Sequence, residues 1–542
     1  MNTTNSRTLQ TIMAIVMTIG IGLTTRAATQ PDSTVWHNPL EAGFPTVRNQ
    51  APGASGTYLR LPQSTLAAMN SSLREQWLTA DGLSVSFFTD ANEIRVRISA
   101  AAGDRSDIGE LFRVDRDGAW HRCPQASDGL FVSDGLAADL LPDCEYRYFL
   151  PSSRVGSLEL GVPHQSKIRF APADNKRPII SVGICSDGRA TLDWAPDLQR
   201  NLDLPVVSLA ADGQSMDVDA VTELIGVSAP RLCIFDLAGA GNGNAQASAI
   251  ISAIGRLRRA GSKVPVMVVD RYNSLRPACD SLIEAGTEGL HYLGAADSRR
   301  QAVTIENKAR EILDMPEGRA TTTVAVSQRR DIGTYDWHQR HLDICRYIDS
   351  VKPANLIIGN SIVQYWGGEP GSRRKSGPET WRKYMEPEGF ANMGCGWDKI
   401  ENVLWRVYHG ELDGTEADNI VVMIGTNNLA FNTPAEIVDG IGQLIEAIGR
   451  RQPQARIILG GLLPRRGREP LVEEINRSLE SLAADKGCQY INPGVELLGP
   501  DGKIQERLFR DGLHPNDDGY ALIAPHIVAK LRHNSDKAIK KH

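Results

Sequence analysis

Between residues 178 and 531, short apolar runs alternate with amphipathic stretches, and the alternation occurs in two successive blocks. Runs at 178–182, 206–209, 232–237 and 264–269 have the length of strands, with helical periods at 194–202 and 245–260. A polar segment at 321–334 reads as a linker, and then the rhythm restarts. The second block predicts helix 337–350, strands 355–358 and 419–424, helix 434–450, strand 456–460, helix 470–484, strand 489–491 and helix 519–531. Strands that are apolar throughout are buried on both faces, and helices between them supply the crossovers of a parallel sheet. Two α/β units of similar order therefore follow one another, as a duplicated or tandem pair.

The stretch upstream has a different period. From 35 to 172 short strands such as 83–88 and 94–98, joined by the turn Thr89, Asp90, Ala91 and Asn92, suggest a β-sandwich. It shows no catalytic-looking cluster of titratable groups and reads as an accessory module. Arg7, an apolar segment at 12–23 and the small pair Ala27 and Ala28 form the pattern of a secretory signal peptide. No cysteine lies near that cut, so a lipid anchor is not expected, and no other apolar run is long enough to span a bilayer. The expected domains are a signal peptide at 1–28, a sandwich at 29–175, a first α/β domain at 176–320, a linker at 321–335 and a second α/β domain at 336–535. The expected location is secreted or periplasmic.

A net charge of −6 over 542 residues gives no electrostatic case for nucleic acid or an anionic membrane as partner. The eight cysteines show no zinc spacing; Cys123 and Cys144 are close enough in sequence to pair in an oxidising compartment, and the others read as buried thiols. His338 and His341 share a helix face without a third ligand, so neither metal nor cofactor is expected. Gly239, Gly241 and Gly243 follow a strand, but the glycine spacing is wrong for a dinucleotide loop.

Chemistry concentrates in four pieces of the second block. Gly359, Asn360 and Ser361 end a buried strand just before a helix, where open α/β sheets place their ligands. Asn392, Gly394, Gly396, Trp397 and Asp398 mark a glycine-rich turn able to offer backbone N–H donors. Gly425, Thr426, Asn427 and Asn428 follow another strand, and a side-chain amide there can donate to a developing oxyanion. Asp511 lies three residues ahead of His514, close enough to orient an imidazole that serves as base to a serine. The pattern G-x-S-x-G is absent around Ser361, so the usual nucleophile elbow does not apply.

Residues from about 354 to 531 resemble an SGNH (GDSL-type) hydrolase, close to the branch that contains the alpha subunits of platelet-activating factor acetylhydrolase. The stretches 401–406, 410–412, 421–428 and 451–455 carry the likeness beyond the four pieces. The resemblance implies a nucleophile at Ser361, a base at His514, its orienter at Asp511, and an oxyanion hole from Asn427 with the backbone N–H groups of Ser361 and Trp397. The sequence departs from the family at Asn360, where Asp is usual, and at Trp397, which takes the place of the oxyanion glycine.

The stretches 58–62, 109–112 and 148–151 resemble the β-rich domain that precedes another group of SGNH hydrolases, and 177–315 is similar to their catalytic domain in degenerate form. There the nucleophile position falls on Cys185 and the Asn position on about Ala240, and no Asp-x-x-His closes the domain. The fold implied is two tandem flavodoxin-like, three-layer α/β/α domains preceded by a β-sandwich, with the first α/β domain inactive and structural or sugar-binding. By the family likeness and the export signal, the chain is expected to be a serine esterase that removes short acyl groups, acetyl foremost, from a polysaccharide or oligosaccharide. Trp366, Trp381 and Trp397 are candidates for stacking on sugar rings, with packing in the fold the equal alternative for each. Two other functions stay open: a lipid or small-molecule acylhydrolase or thioesterase, and a catalytically silent carbohydrate-binding protein.

Overall fold

The computed structural model describes residues 34–100, 108–114, 120–132, 144–185, 192–212, 216–237, 243–294, 301–316, 320–329 and 335–532. The signal-peptide stretch, the loop after Cys185 and Ala240 lie outside these residues.

Residues 34–170 form two antiparallel sheets packed face to face. Phe87, Tyr146, Tyr148, Leu158 and Leu160 fill the space between them. Cys123 is buried there, and the side chain of Cys144 lies outside the described residues. This region is not purely β. Helices Gln63–Ala68 and Ser71–Trp77 leave the sandwich and pack on the next domain, where Trp77 donates its indole N–H to the Ala210 carbonyl at 2.9 Å.

The first α/β domain is a parallel sheet of β1 (Ile179–Cys185), β2 (Val206–Asp212), β3 (Leu232–Leu237), β4 (Val266–Asp270) and β5 (Leu290–Leu293). The second repeats it with β6 (Asn355–Gly359), β7 (Phe390–Gly394), β8 (Asn419–Met423), β9 (Arg456–Gly460) and β10 (Gln489–Ile491). In both sheets the spatial order is second, first, third, fourth, fifth. That is the flavodoxin-like order, whose switch point lies beside the first strand. Ile357, Ile358, Val421 and Val422 are fully buried, which is why these strands read as unbroken apolar runs.

Four helices matter below: α1 (Ala195–Leu202), α2 (Trp337–Val351), α3 (Ile400–Tyr408) and α4 (Asp517–Arg532). Asp336 caps α2 by accepting the Gln339 N–H at 2.9 Å. The described part of the segment read as a linker, residues 321–329, is instead a strap packed against the second domain. The Thr322 hydroxyl donates to the Glu436 carbonyl at 2.7 Å, Val326 N–H to the Glu401 carbonyl at 3.2 Å, and Gln328 and Arg329 are buried. Its polarity comes from these internal bonds rather than from solvent. Sequence periodicity also missed β7 and α3. A strand containing Asn and Gly and a nine-residue helix buried on all sides give no clean period.

Candidate active site

β6 stops at Gly359 because nothing larger fits: a Cβ there would sit 2.4 Å from the Met423 carbonyl oxygen on β8. Asn360 then caps the short helix Ser361–Gln364, its side-chain oxygen accepting the Ile362 N–H at 2.9 Å. Capping needs an acceptor and not a charge, so Asn in place of the family's Asp keeps the turn. The N–H of Ser361 opens that helix and has no intrahelical partner. Ser361 itself is 6% exposed.

His514 reaches Ser361 from the loop before α4. Its Nε2 is 2.9 Å from the Ser361 Oγ, and its Nδ1 is 2.8 Å from the Asp511 Oδ2. A carboxylate only accepts, so the proton sits on Nδ1 and Nε2 is left to accept from the serine hydroxyl. The other Asp511 oxygen accepts the backbone N–H groups of His514 at 2.8 Å and Leu513 at 3.1 Å, which locks the three-residue spacing. Partial burial pushes the Asp511 carboxyl up, but the hydrogen bonds from His514 and Leu513 outweigh it and hold it below its usual range. It stays an anion beside the base.

The oxyanion side is built from the ends of β7 and β8. Residues 392–394, read as a turn, complete β7. Asn392 donates to the Val363 carbonyl at 2.7 Å and the Gly367 carbonyl at 2.6 Å, tying this strand to the serine helix. Trp397 follows with φ +60°, a left-handed backbone that L residues seldom adopt, which is why glycine suits the position. Its ring is 38% exposed and packs near Tyr335, with ring centres 5.8 Å apart. Asn427 stands in the turn after β8, and one of its amide N–H groups goes to the Asp398 carbonyl at 2.9 Å. The amide has a second N–H for an oxyanion. The Asp398 carboxylate is fully buried and accepts from Trp337 Nε1 at 2.7 Å, Gln328 Nε2 at 2.9 Å and Arg406 Nε at 2.8 Å.

Ser361, His514 and Asp511 thus share one contact chain, and Asn427 is bonded to the Trp397–Asp398 segment. Trp366 is not at the surface. It is fully buried, stacked on Tyr520 at 4.6 Å and edge-on to Trp381 at 6.0 Å, so neither tryptophan offers a face to a sugar. The adjacent Gly367 and Gly368 were the overlooked signal, since a Cβ at Gly368 would lie 2.2 Å from the Trp381 ring. Conversely, Phe431 is 76% exposed just past Asn428 and was not anticipated. Nor was Tyr365, whose ring centre is 5.2 Å from that of His514; Arg374, legible in the sequence only as part of a polar loop, lies over Tyr365 at 4.6 Å and 3.8 Å from Asp511. The basic run Arg373, Arg374 and Lys375 in a net-acidic chain was their trace in the sequence. His338 and His341 are buried on α2, His341 with its Nδ1 2.9 Å from Glu411.

The GDSL-like lipase/acylhydrolase family model matches residues 357–522, and a model for the N-terminus of SGNH hydrolase-type esterases matches residues 34–168. Platelet-activating factor acetylhydrolase IB subunit alpha2 of Bos taurus is 33% identical over 215 residues, covering 39% of this chain and 90% of that protein. The chain belongs to the GDSL-like lipase/acylhydrolase family. The alpha1 subunit of Bos taurus is 31% identical over 177 residues, covering 32% of this chain and 72% of that subunit. A solved GDSL-like lipase structure from Bacteroides ovatus aligns with a TM-score of 0.42 at 16% identity, covering 52% of this chain and 98% of that one. As a GDSL-like acylhydrolase the chain is an ester-cleaving enzyme by family, and the hydrogen-bonded serine, histidine and aspartate lie within the matched span.

Proposed function

We propose that this protein is a serine acetylesterase acting on acetylated carbohydrate outside the cytoplasm. Ser361 attacks the ester carbonyl while its proton passes to His514 Nε2, and Asp511 stabilises the imidazolium. Asn427 and the N–H groups of Ser361 and Trp397 receive the oxyanion. The alcohol leaves with the proton from His514, and a water activated by the same imidazole hydrolyses the acyl-enzyme.

The observation that carries this reading is the Ser361–His514–Asp511 chain at 2.9 and 2.8 Å. Preference for a short acyl group draws on the acetylhydrolase relatives. Preference for carbohydrate draws on the mouth. Trp397, on the segment bonded to Asn427, and Phe431, four residues beyond Asn427 with Lys399 over its ring at 5.5 Å, are exposed aromatics, and the exposed Arg373, Arg374 and Lys375 make a greasy lipid groove poor company. Export draws on the leader pattern at 1–28. A lipid ester is the second reading, favoured by the name of the alpha-subunit relatives.

Acetate release from acetylated xylan or pectin, set beside release from an acetylated ether phospholipid, separates the two. Turnover of the polymers with the phospholipid inert is expected. Turnover of the phospholipid alone overturns the carbohydrate assignment.

A further inference from the structure

No Asp-x-x-His closes the first α/β domain, yet one of its carboxylates enters the junction where the three domains meet. Asp203 ends α1 in a left-handed backbone, φ +49°, and is 4% exposed. Its carboxylate meets Arg147 at 3.2 Å, Arg329 at 3.6 Å and Arg48 at 3.9 Å, and accepts the Trp405 indole N–H at 2.8 Å. Glu145 pairs with Arg147 at 3.3 Å and with Arg329. The sandwich thus supplies Arg48, Glu145 and Arg147, the first α/β domain Asp203, and the second domain with its strap Arg329 and Trp405. His409, at the end of α3, places Nε2 2.9 Å from the Asp203 carbonyl oxygen.

Burying such a cluster is poor value for stability, since well-packed apolar side chains hold a seam at least as firmly. What ions and directed hydrogen bonds add is fixed geometry, and the neighbours of the knot show where that geometry goes. Arg406 follows Trp405, and its guanidinium holds Asp398 at 2.8 Å, the Met393 carbonyl at 3.1 Å and the Gly359 carbonyl at 3.4 Å. Gln328 precedes Arg329 and donates to the Asp398 carboxylate and the Gly396 carbonyl, each at 2.9 Å. Trp337, the third donor to Asp398, packs on Trp405 with ring centres 5.1 Å apart. On two separate chain segments, one residue is in the knot and its neighbour holds the turn that carries Trp397 and binds Asn427.

We propose that Asp203 is a positioning residue for the oxyanion hole, and that the first α/β domain serves as an internal brace that sets the 396–398 turn through Arg329–Gln328 and Trp405–Arg406. Asp203 touches no substrate. Its effect passes through Asp398 to Asn427. The inference rests on Ser361 and Asn427 acting as proposed, and holds whichever ester is the natural one.

The experiment compares full-length wild type, Asp203→Asn, Trp405→Phe and Arg60→Met on p-nitrophenyl acetate, with the rate of Ser361 labelling by an alkyl fluorophosphonate as a second readout. Trp405→Phe keeps an aromatic ring on α3 and removes the N–H to Asp203 together with part of the indole that packs on His409 and Trp337. Arg60→Met is the structural control, because Arg60 bonds the Ser208 carbonyl across the sandwich and first α/β domain without reaching α3. Asp203→Asn and Trp405→Phe are expected to lower kcat by about 10-fold or more, below the 10²–10³-fold of deleting an oxyanion donor outright. KM should stay within about twofold, and labelling should slow in parallel because its tetrahedral phosphorus uses the same hole. Arg60→Met is expected to lower Tm without that kcat loss. If Asp203→Asn does not fold, Trp405→Phe decides. Wild-type kcat and labelling in folded Trp405→Phe overturn the proposal, as does an equal kcat loss in Arg60→Met. A protein that labels at Ser361 but releases acetate from no carbohydrate would sink the substrate assignment and leave this inference standing.

Discussion

The two α/β domains share one strand order and differ in what stands on the strand ends. Gly183 on β1 lies opposite Asp236 on β3, and Gly359 on β6 lies opposite Met423 on β8, so Cys185 and Ser361 hold corresponding places two residues on. In the second domain the approach is fixed by backbone, and the Gly359 Cβ would strike a carbonyl oxygen. In the first, the nearest atom a Cβ at Gly183 would meet is on a side chain, Leu192, at 2.3 Å. Where Met423 fills the core, Asp236 buries a carboxyl bonded to Trp194 Nε1 at 2.8 Å. The same flavodoxin-like frame thus carries different residues at corresponding strand ends, and chemistry is a matter of the turns rather than of the frame.

The hardest test of that contrast is the nucleophile. Ser361→Ala should lower kcat on p-nitrophenyl acetate by roughly 10³-fold or more, while Cys185→Ala leaves it unchanged. Full activity in Ser361→Ala would hand the role to the first domain. Asn427→Ala should cost on the order of 10²-fold in kcat with little change in KM, and a pure KM effect would remove Asn427 from the oxyanion hole.

Two buried aspartates in the first domain sharpen the comparison in opposite directions. Burial pushes the Asp236 carboxyl up to about 6, against the opposing Trp194 hydrogen bond. A folded value above the unfolded one of about 3.9 favours the fold below that pH, and the advantage is lost as pH climbs through about 6. Asp236→Asn should therefore add on the order of 2 kcal/mol at about pH 8 in urea melts, a gain that shrinks toward pH 4. A gain that does not vary with pH would show that ionisation is not the cause. For Asp203, burial raises the carboxyl, but Arg147, Arg329 and Arg48 outweigh it and hold it well below its usual range. Its contribution is present above about pH 4 and is lost as pH falls through the depressed value, so acid should destabilise wild type more steeply than Asp203→Asn. Parallel acid profiles would contradict this.

The smallest effects concern the mouth. Trp397→Gly and Phe431→Ala should leave kcat on p-nitrophenyl acetate within about twofold and raise KM for an acetylated polymer by about 2- to 10-fold, the worth of one aromatic contact. Unchanged polymer KM in both variants would remove them as sugar platforms.

Most of this was visible in the sequence, for identifiable reasons. Runs such as 355–358 and 456–460 are apolar on both faces, and Asp511 with His514 is a local pair whose spacing is its geometry. Trp366 misled because a tryptophan beside an active loop looks the same in sequence whether it faces solvent or Tyr520. Asp203 was invisible because its partners lie on four other segments, at 48, 147, 329 and 405–409, and a left-handed helix end with an ordinary Asp gives no signal of burial. The strap failed for a related reason, since Thr322 and Gln328 spend their polarity inward.

The packed strap also bears on where this enzyme can be cut. The family match opens at residue 357, and a shortened version begun near there would contain the triad and its own sheet. It would lack Gln328, Arg329 and Trp337, leave Asp398 two donors short, and bare the Trp405 face of α3 to water. A grafted or recombined version of this hydrolase that begins at the family match is therefore expected to lose activity unless it carries its upstream neighbours with it.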